Sequence, residues 1–201
     1  MTTLNLLRGR HKGPALVMGS GPSLRHLTDR PPCDIAIAVN SAILKAPWAD
    51  YFVSCDGRVT HRTSFQTLAH LNTICLLMIE GIGDYWTRTN KVDSSRLLWF
   101  RRDEVEVVKA YSSAHMAVAL AILMGCRHVK VMGCECAYED GKKYFYEFGG
   151  QINDEWLPGQ YVIDGPKHVN TEVTTDGFLA ASKQAWNRMR EAYPEVLIEG
   201  V

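Results

Sequence analysis

The chain has 201 residues, 46% hydrophobic and 22% charged, which fits one globular domain able to bury roughly 70% of its unfolded surface. Its 22 basic residues equal its 22 acidic ones, which argues against nucleic-acid binding mainly through a global field, although a local basic groove is still allowed. No apolar run approaches the ~20 residues that span a membrane, and no long apolar stretch follows the polar, basic start of the chain. A cytoplasmic protein without a secretory signal is expected.

Short, β-branched apolar runs alternate with helical patterns along the sequence. Residues 15–18 predict a first strand and 22–27 the start of a helix. Strands are expected at 34–39, 51–54, 73–79 and 97–100, with a helical segment at 61–70. The clearest helix spans 112–124: Ser112-Ser113 stand at its start, Gly125 follows it, and it is apolar nearly all round, which implies burial. A strand at 128–132, a polar and aromatic loop region at about 139–170, an amphipathic helix at 178–193 and a strand at 196–198 complete the chain. This alternation predicts one α/β domain over 1–201, a Rossmann-like, doubly wound, mostly parallel sheet with helices on both faces.

Ligands of such sheets bind at the carboxyl ends of the strands. That rule gathers Gly19–Ser23, Asn40, Asp56 and the segment 133–138 on one rim. The run Gly19-Ser20-Gly21-Pro22-Ser23 follows strand one, and a glycine-rich turn before a helix offers backbone N–H groups to a phosphate. The same turn can serve packing alone. Its spacing is not that of the dinucleotide fingerprint, since Leu24 stands three residues after Gly21, and the P-loop Lys-Ser/Thr pair is missing.

Asn40 and Asp56 end apolar strands, where each either starts a turn or presents a polar group to a base or sugar. Ser112 and Ser113 either cap their helix or turn hydroxyls and N–H groups toward a phosphate. Glu135, directly after a strand, can hold a ribose, a metal-bridged phosphate or a loop N–H group. Tyr138, Tyr144 and Tyr146 with Lys142 and Lys143 form an aromatic, basic stretch able to steady a leaving phosphate without metal, unless Lys142-Lys143 after Asp140-Gly141 is a solvated turn. His168 lies in a loop ahead of the last helix, where a histidine either stands in solvent or serves as a base. The six cysteines at 33, 55, 75, 126, 134 and 136 have neither zinc nor thioredoxin spacing and read as small core residues of a reducing compartment.

Gly19-Ser-Gly-Pro-Ser-Leu24, the helix 112–124 with Gly125, the strand ending at Gly133, and Cys136-Ala-Tyr138 through Tyr144 together resemble the bacterial sialyltransferases of glycosyltransferase family 42. They are also similar to the related domain of unknown function that includes archaeal 6-hydroxymethyl-dihydropterin diphosphokinase. The first resemblance implies that Gly19, Gly21 and Ser23 line the nucleotide phosphate, with Asn40 and Asp56 beside nucleotide or sugar. It implies that Ser113 contacts the donor near its phosphate, that Tyr138 and Tyr144 hold the departing phosphate, and that His168 deprotonates the acceptor. Ser20, Ala114 and Glu135 depart from that family, which has asparagine, glycine and aspartate there. The second resemblance rests on Gly133-x-Glu-x-Ala-Tyr-x-Asp-Gly-Lys and implies that Glu135 helps place Mg²⁺ and a triphosphate.

The expectation is therefore a nucleotide-dependent transferase, foremost a glycosyltransferase with a nucleotide-sugar donor, a small or soluble acceptor and no required metal. The alternatives are Mg²⁺-dependent diphosphoryl transfer from ATP to a hydroxymethyl substrate, and a nucleotide-binding module without turnover. A homo-oligomer is compatible with the aromatic content.

Overall fold

The computed structural model describes residues 3–55, 62–78, 91–105, 112–135, 139–140 and 171–200. Seven strands form one sheet: β1 (Ala15–Met18), β2 (Ile35–Val39), β3 (Tyr51–Ser54), β4 (Ile74–Met78), β5 (Leu97–Phe100), β6 (His128–Met132) and β7 (Leu197–Glu199). Among the described residues, four α-helices accompany them: α1 (Ala42–Lys45), α2 (Arg62–Leu68), α3 (Ser113–Leu123) and α4 (Thr171–Ala192). The strand order is β5-β4-β3-β2-β1-β6-β7, and every described pairing is parallel. The expected α/β Rossmann-like fold is thus present, with an all-parallel sheet where a mostly parallel one was expected.

Parallel strands joined by helical crossovers are covered on both faces, which requires apolar residues on both sides of each strand. β1 and β2 meet that demand with all nine of their residues buried. Ala15 and Val17, Ile35 and Ile37, Tyr51 and Val53 face one core, which α3 fills with Met116 through Ile122 and α4 with Trp186 and Met189. Leu16 and Met18, Ala36 and Ala38, Phe52 and Leu77 face the other, closed by Leu24, Ile43, Phe65 and Leu68. The two-residue strand period sorts these side chains to opposite faces.

α3 is the central helix. Its burial on nearly every side accounts for its lack of a polar face. It ends in a Schellman turn: the Gly125 N–H donates to the Ile122 carbonyl at 2.9 Å and the Cys126 N–H to Ala121 at 3.1 Å. Gly125 has φ +108°, a conformation glycine adopts without steric cost.

Three local features differ from the expectation. Residues Pro22–His26 form a five-residue 3₁₀ helix rather than an α-helical start. α1 has no counterpart in the sequence reading, and α4 begins at Thr171 rather than 178. Among the described residues, no helix is long and apolar enough to cross a membrane.

Candidate functional site

The strand order reverses direction at β1, which lies between β2 and β6. The crevice outside the carboxyl ends of the strands at such a switch point is where open α/β sheets place ligands. The segments leaving β1 and β6 meet here, and the sequence of each explains how closely.

The Gly19 N–H donates to the Met132 carbonyl at 2.7 Å, and the Gly21 N–H to the Gly133 carbonyl at 2.7 Å. The Ser23 N–H donates to Glu135 Oε1 at 3.1 Å, while the Gly133 N–H returns a bond to Ser23 Oγ at 2.9 Å. A Cβ on Gly21 would lie 2.7 Å from the Gly133 oxygen and would overlap the Glu135 carboxylate. Gly133 has φ +72°, and a Cβ there would overlap the Gly19 carbonyl. Close approach of two backbones is therefore the role of these glycines. The loop was expected to hold N–H groups open for phosphate, yet those of Gly19, Gly21 and Ser23 are taken by the β6 side. Glu135 occupies the loop with a negative charge, and Arg25 on the 3₁₀ helix pairs with Glu139, tying the same two segments again.

The β2 and β3 ends continue the rim. Ser20 Oγ donates to the Val39 carbonyl at 3.5 Å. Asn40 follows in the left-handed region at φ +53°, which asparagine tolerates better than most residues, and its N–H donates to the Val53 carbonyl at 3.2 Å. Its carboxamide oxygen is buried and, among the described residues, has no hydrogen-bond partner. Buried polar atoms are nearly always paired, so this oxygen calls for a donor from a water, a ligand or a residue outside the described segments.

The start of α3 closes this arc. The Cys55 N–H, just past β3, donates to Ser113 Oγ at 3.2 Å, a bond that does not use the serine's own proton. Ser112 occupies the N-cap position with extended backbone, yet its side chain makes no cap bond. The first intrahelical bond runs from Met116 N–H to the Ser112 carbonyl at 3.1 Å, so the N–H groups of the preceding turn have no acceptor within the helix. They stand at the positive end of an 11-residue helix dipole.

The Ser112 hydroxyl bonds instead to His115 Nδ1 at 2.7 Å, and His115 Nε2 lies 3.3 Å from the Ser182 carbonyl of α4. The His115 ring is fully buried and stacks on Trp186 with centroids 4.0 Å apart. Burial pushes its pKa down to about 4, against the opposing pull of the Ser182 carbonyl. The unfolded chain takes up this proton near pH 6.5 and the folded chain only near 4, so stability falls as pH drops through that window. A loss on the order of 3 kcal/mol is expected across it. Urea unfolding from pH 7.5 to 4.5 measures this loss, and His115→Gln should flatten the profile. An equal slope in the variant would remove His115 as its source.

His115 was absent from the sequence reading. The Ser112-x-x-His115 spacing was visible, but Ser182 and Trp186 come from a distant helix. Asp56, Tyr138, Tyr144 and His168 lie outside the described residues, as do Tyr146, Lys142 and Lys143. At the opposite, amino edge of the sheet, His11 Nε2 is 3.1 Å from the Tyr51 hydroxyl and His11 Nδ1 is 3.5 Å from Asp34. The Gly13 N–H foremost, then the Lys12 N–H and His11, hold the Asp34 carboxyl below its usual range.

The described part of the rim thus brings together Gly19, Ser20, Gly21, Ser23, Asn40, Ser112, Ser113 and Glu135. It offers N–H donors at one end and a carboxylate at the other. No protein-family model matches the chain, and no curated protein sequence matches it.

Proposed function

We propose that this protein is a nucleotide-dependent transferase, and specifically a glycosyltransferase that takes its sugar from a nucleotide-sugar donor. The observation that carries the reading is the first turn of α3, a helix N-terminus at the carboxyl edge of a parallel sheet that the Ser112 side chain does not cap. N–H groups that have no acceptor within the helix and the helix dipole together favour a phosphate ester there. Ser113 adds a hydroxyl proton, and Asn40 adds an acceptor for a base or sugar. The donor's phosphate thus sits at α3, with the Gly19–Ser23 loop and Glu135 forming the opposite wall.

In this reading the acceptor hydroxyl gives its proton to His168 and attacks the anomeric carbon. The bond from that carbon to the phosphate oxygen breaks, and the oxygen keeps the electron pair. Tyr138, Tyr144 and the α3 N–H groups stabilise the departing charge, as preorganised donors do in a water-poor site. The product has inverted configuration, and the step requires no metal.

Glu135 favours a second reading, diphosphoryl transfer from ATP. Its Oε1 takes the Ser23 N–H, which leaves Oε2 to hold Mg²⁺ beside the phosphates. There the metal would supply charge neutralisation of the phosphates.

A thermal-shift panel of CMP, CDP, UDP, GDP, ATP and CMP-sialic acid, with and without Mg²⁺, separates these readings. A ligand at one hundred times its Kd adds ~2.7 kcal/mol. Stabilisation by a pyrimidine nucleotide without metal is the expected result, whereas stabilisation by ATP only with Mg²⁺ would transfer the assignment to diphosphoryl transfer. No response to any nucleotide would refute both.

A further inference from the structure

We propose that Ser112 and His115 form a hydroxyl-recognition site, in which Ser112 Oγ accepts a hydrogen bond from a sugar hydroxyl of the bound phosphate ester. His115 is the positioning residue, holding the serine's own proton away from the ligand. The inference rests on the nucleotide reading above and adds which part of the nucleotide or nucleotide-sugar meets α3's N-cap.

The proton positions follow from the partners. The Ser182 carbonyl only accepts, so His115 Nε2 carries the hydrogen in their 3.3 Å bond. The ring lies fully buried against Trp186 with no carboxylate partner among the described residues, which keeps it neutral near pH 7. A neutral imidazole protonated on Nε2 presents a lone pair at Nδ1. The 2.7 Å contact is therefore Ser112 Oγ–H donating to Nδ1. Once its single proton is committed, the hydroxyl has only lone pairs to offer.

A phosphate oxygen is also an acceptor, so Ser112 Oγ cannot pair with it. A sugar hydroxyl can. The half-buried serine sits one residue before the N–H groups that favour the phosphate, within reach of a sugar esterified to it. A second observation points the same way: the buried Asn40 oxygen, also an acceptor, has no donor among the described residues. Its strand neighbours link it to α3, since Asn40 N–H bonds Val53 and Cys55 N–H bonds Ser113. The edge thus pairs donors for a phosphate with acceptors for hydroxyls. A site built to bond a hydroxyl rejects the analogue that lacks it, because its buried acceptor is left unpaired.

The test is calorimetric titration of CMP, UDP, GDP and ATP against their 2′-deoxy and 3′-deoxy counterparts, and of CMP-sialic acid against CMP. In the native chain a deoxynucleotide should bind about tenfold more weakly, if the hydroxyl belongs to the ribose. If it belongs to the transferred sugar, CMP-sialic acid should lose affinity relative to CMP when Ser112 is changed. Ser112→Ala should bring the affected ratio to within about twofold of unity, and Ser112→Thr should retain it. His115→Phe keeps a ring against Trp186 and removes the acceptor, so the same ratio should fall. Nucleotide binding with both ratios unchanged in Ser112→Ala would overturn this inference alone, whereas no binding by any of these nucleotides would overturn the parent reading with it.

Discussion

Replacing Gly133 with alanine is expected to destabilise the protein by about 3 kcal/mol, one of the largest effects of any single methyl group in this chain. Two costs combine there. The backbone at φ +72° disfavours any Cβ by about 1–2 kcal/mol. The added carbon also overlaps the Gly19 carbonyl, and an overpacked site costs about 1–3 kcal/mol more. Relief requires the β1 and β6 ends to separate, which breaks the bonds from Gly21 to Gly133 and from Gly133 to Ser23. Gly9 is the internal control: its φ is +68°, but a Cβ there meets nothing within 4 Å. Gly9→Ala should therefore cost only the conformational part, about 1 kcal/mol. Urea midpoints of the two variants measure the difference, and equal losses would show that close packing at the switch point contributes nothing.

Glu135→Gln should raise metal-free nucleotide affinity about three- to tenfold while lowering stability by about 1 kcal/mol. The carboxylate accepts the Ser23 N–H at 3.1 Å and sits where the glycine loop was expected to meet phosphate. A bound phosphate ester at the same crevice is repelled by that charge, and the amide oxygen retains the hydrogen bond without it. The stability loss follows because a bond to a charged acceptor is stronger than one to a neutral amide. The diphosphoryl reading predicts the opposite sign. If Glu135 holds Mg²⁺, the glutamine variant loses metal-dependent ATP binding and gains nothing without metal. Titration of wild type and variant with and without Mg²⁺ reads both signs in one experiment.

The strands were legible because a parallel sheet covered on both faces needs short, continuous apolar runs, and 15–18, 51–54 and 97–100 carry them. α3 was legible from Ser112 and Gly125 at its ends and from its unbroken apolar surface. α1 was not, since four residues are too few for a 3.6-residue period to register. Pro22 marks a helical first turn in either geometry, so it did not distinguish a 3₁₀ turn from an α-helix.

The candidate site was legible as a set of residues on one rim, because the strand-end rule needs only the order of elements. Its internal bonding was not. Whether the glycine loop's N–H groups face a ligand or the neighbouring strand depends on which strand lies next to β1, and that strand is β6, over 100 residues later. The same limit hid His115, whose proton position is set by a carbonyl 67 residues away.

The most direct test is the nucleotide titration read residue by residue, from the backbone amide resonances of the ¹⁵N-labelled protein. Saturating CMP or UDP should shift the amides of Ser113, Ala114 and His115 and the side-chain amide of Asn40, with smaller shifts at Gly19, Gly21 and Ser23. Shifts confined to the amino edge, around His11, Asp34 and Tyr51, or an unchanged spectrum with every nucleotide, would contradict the assignment of the α3 N-terminus as the phosphate site.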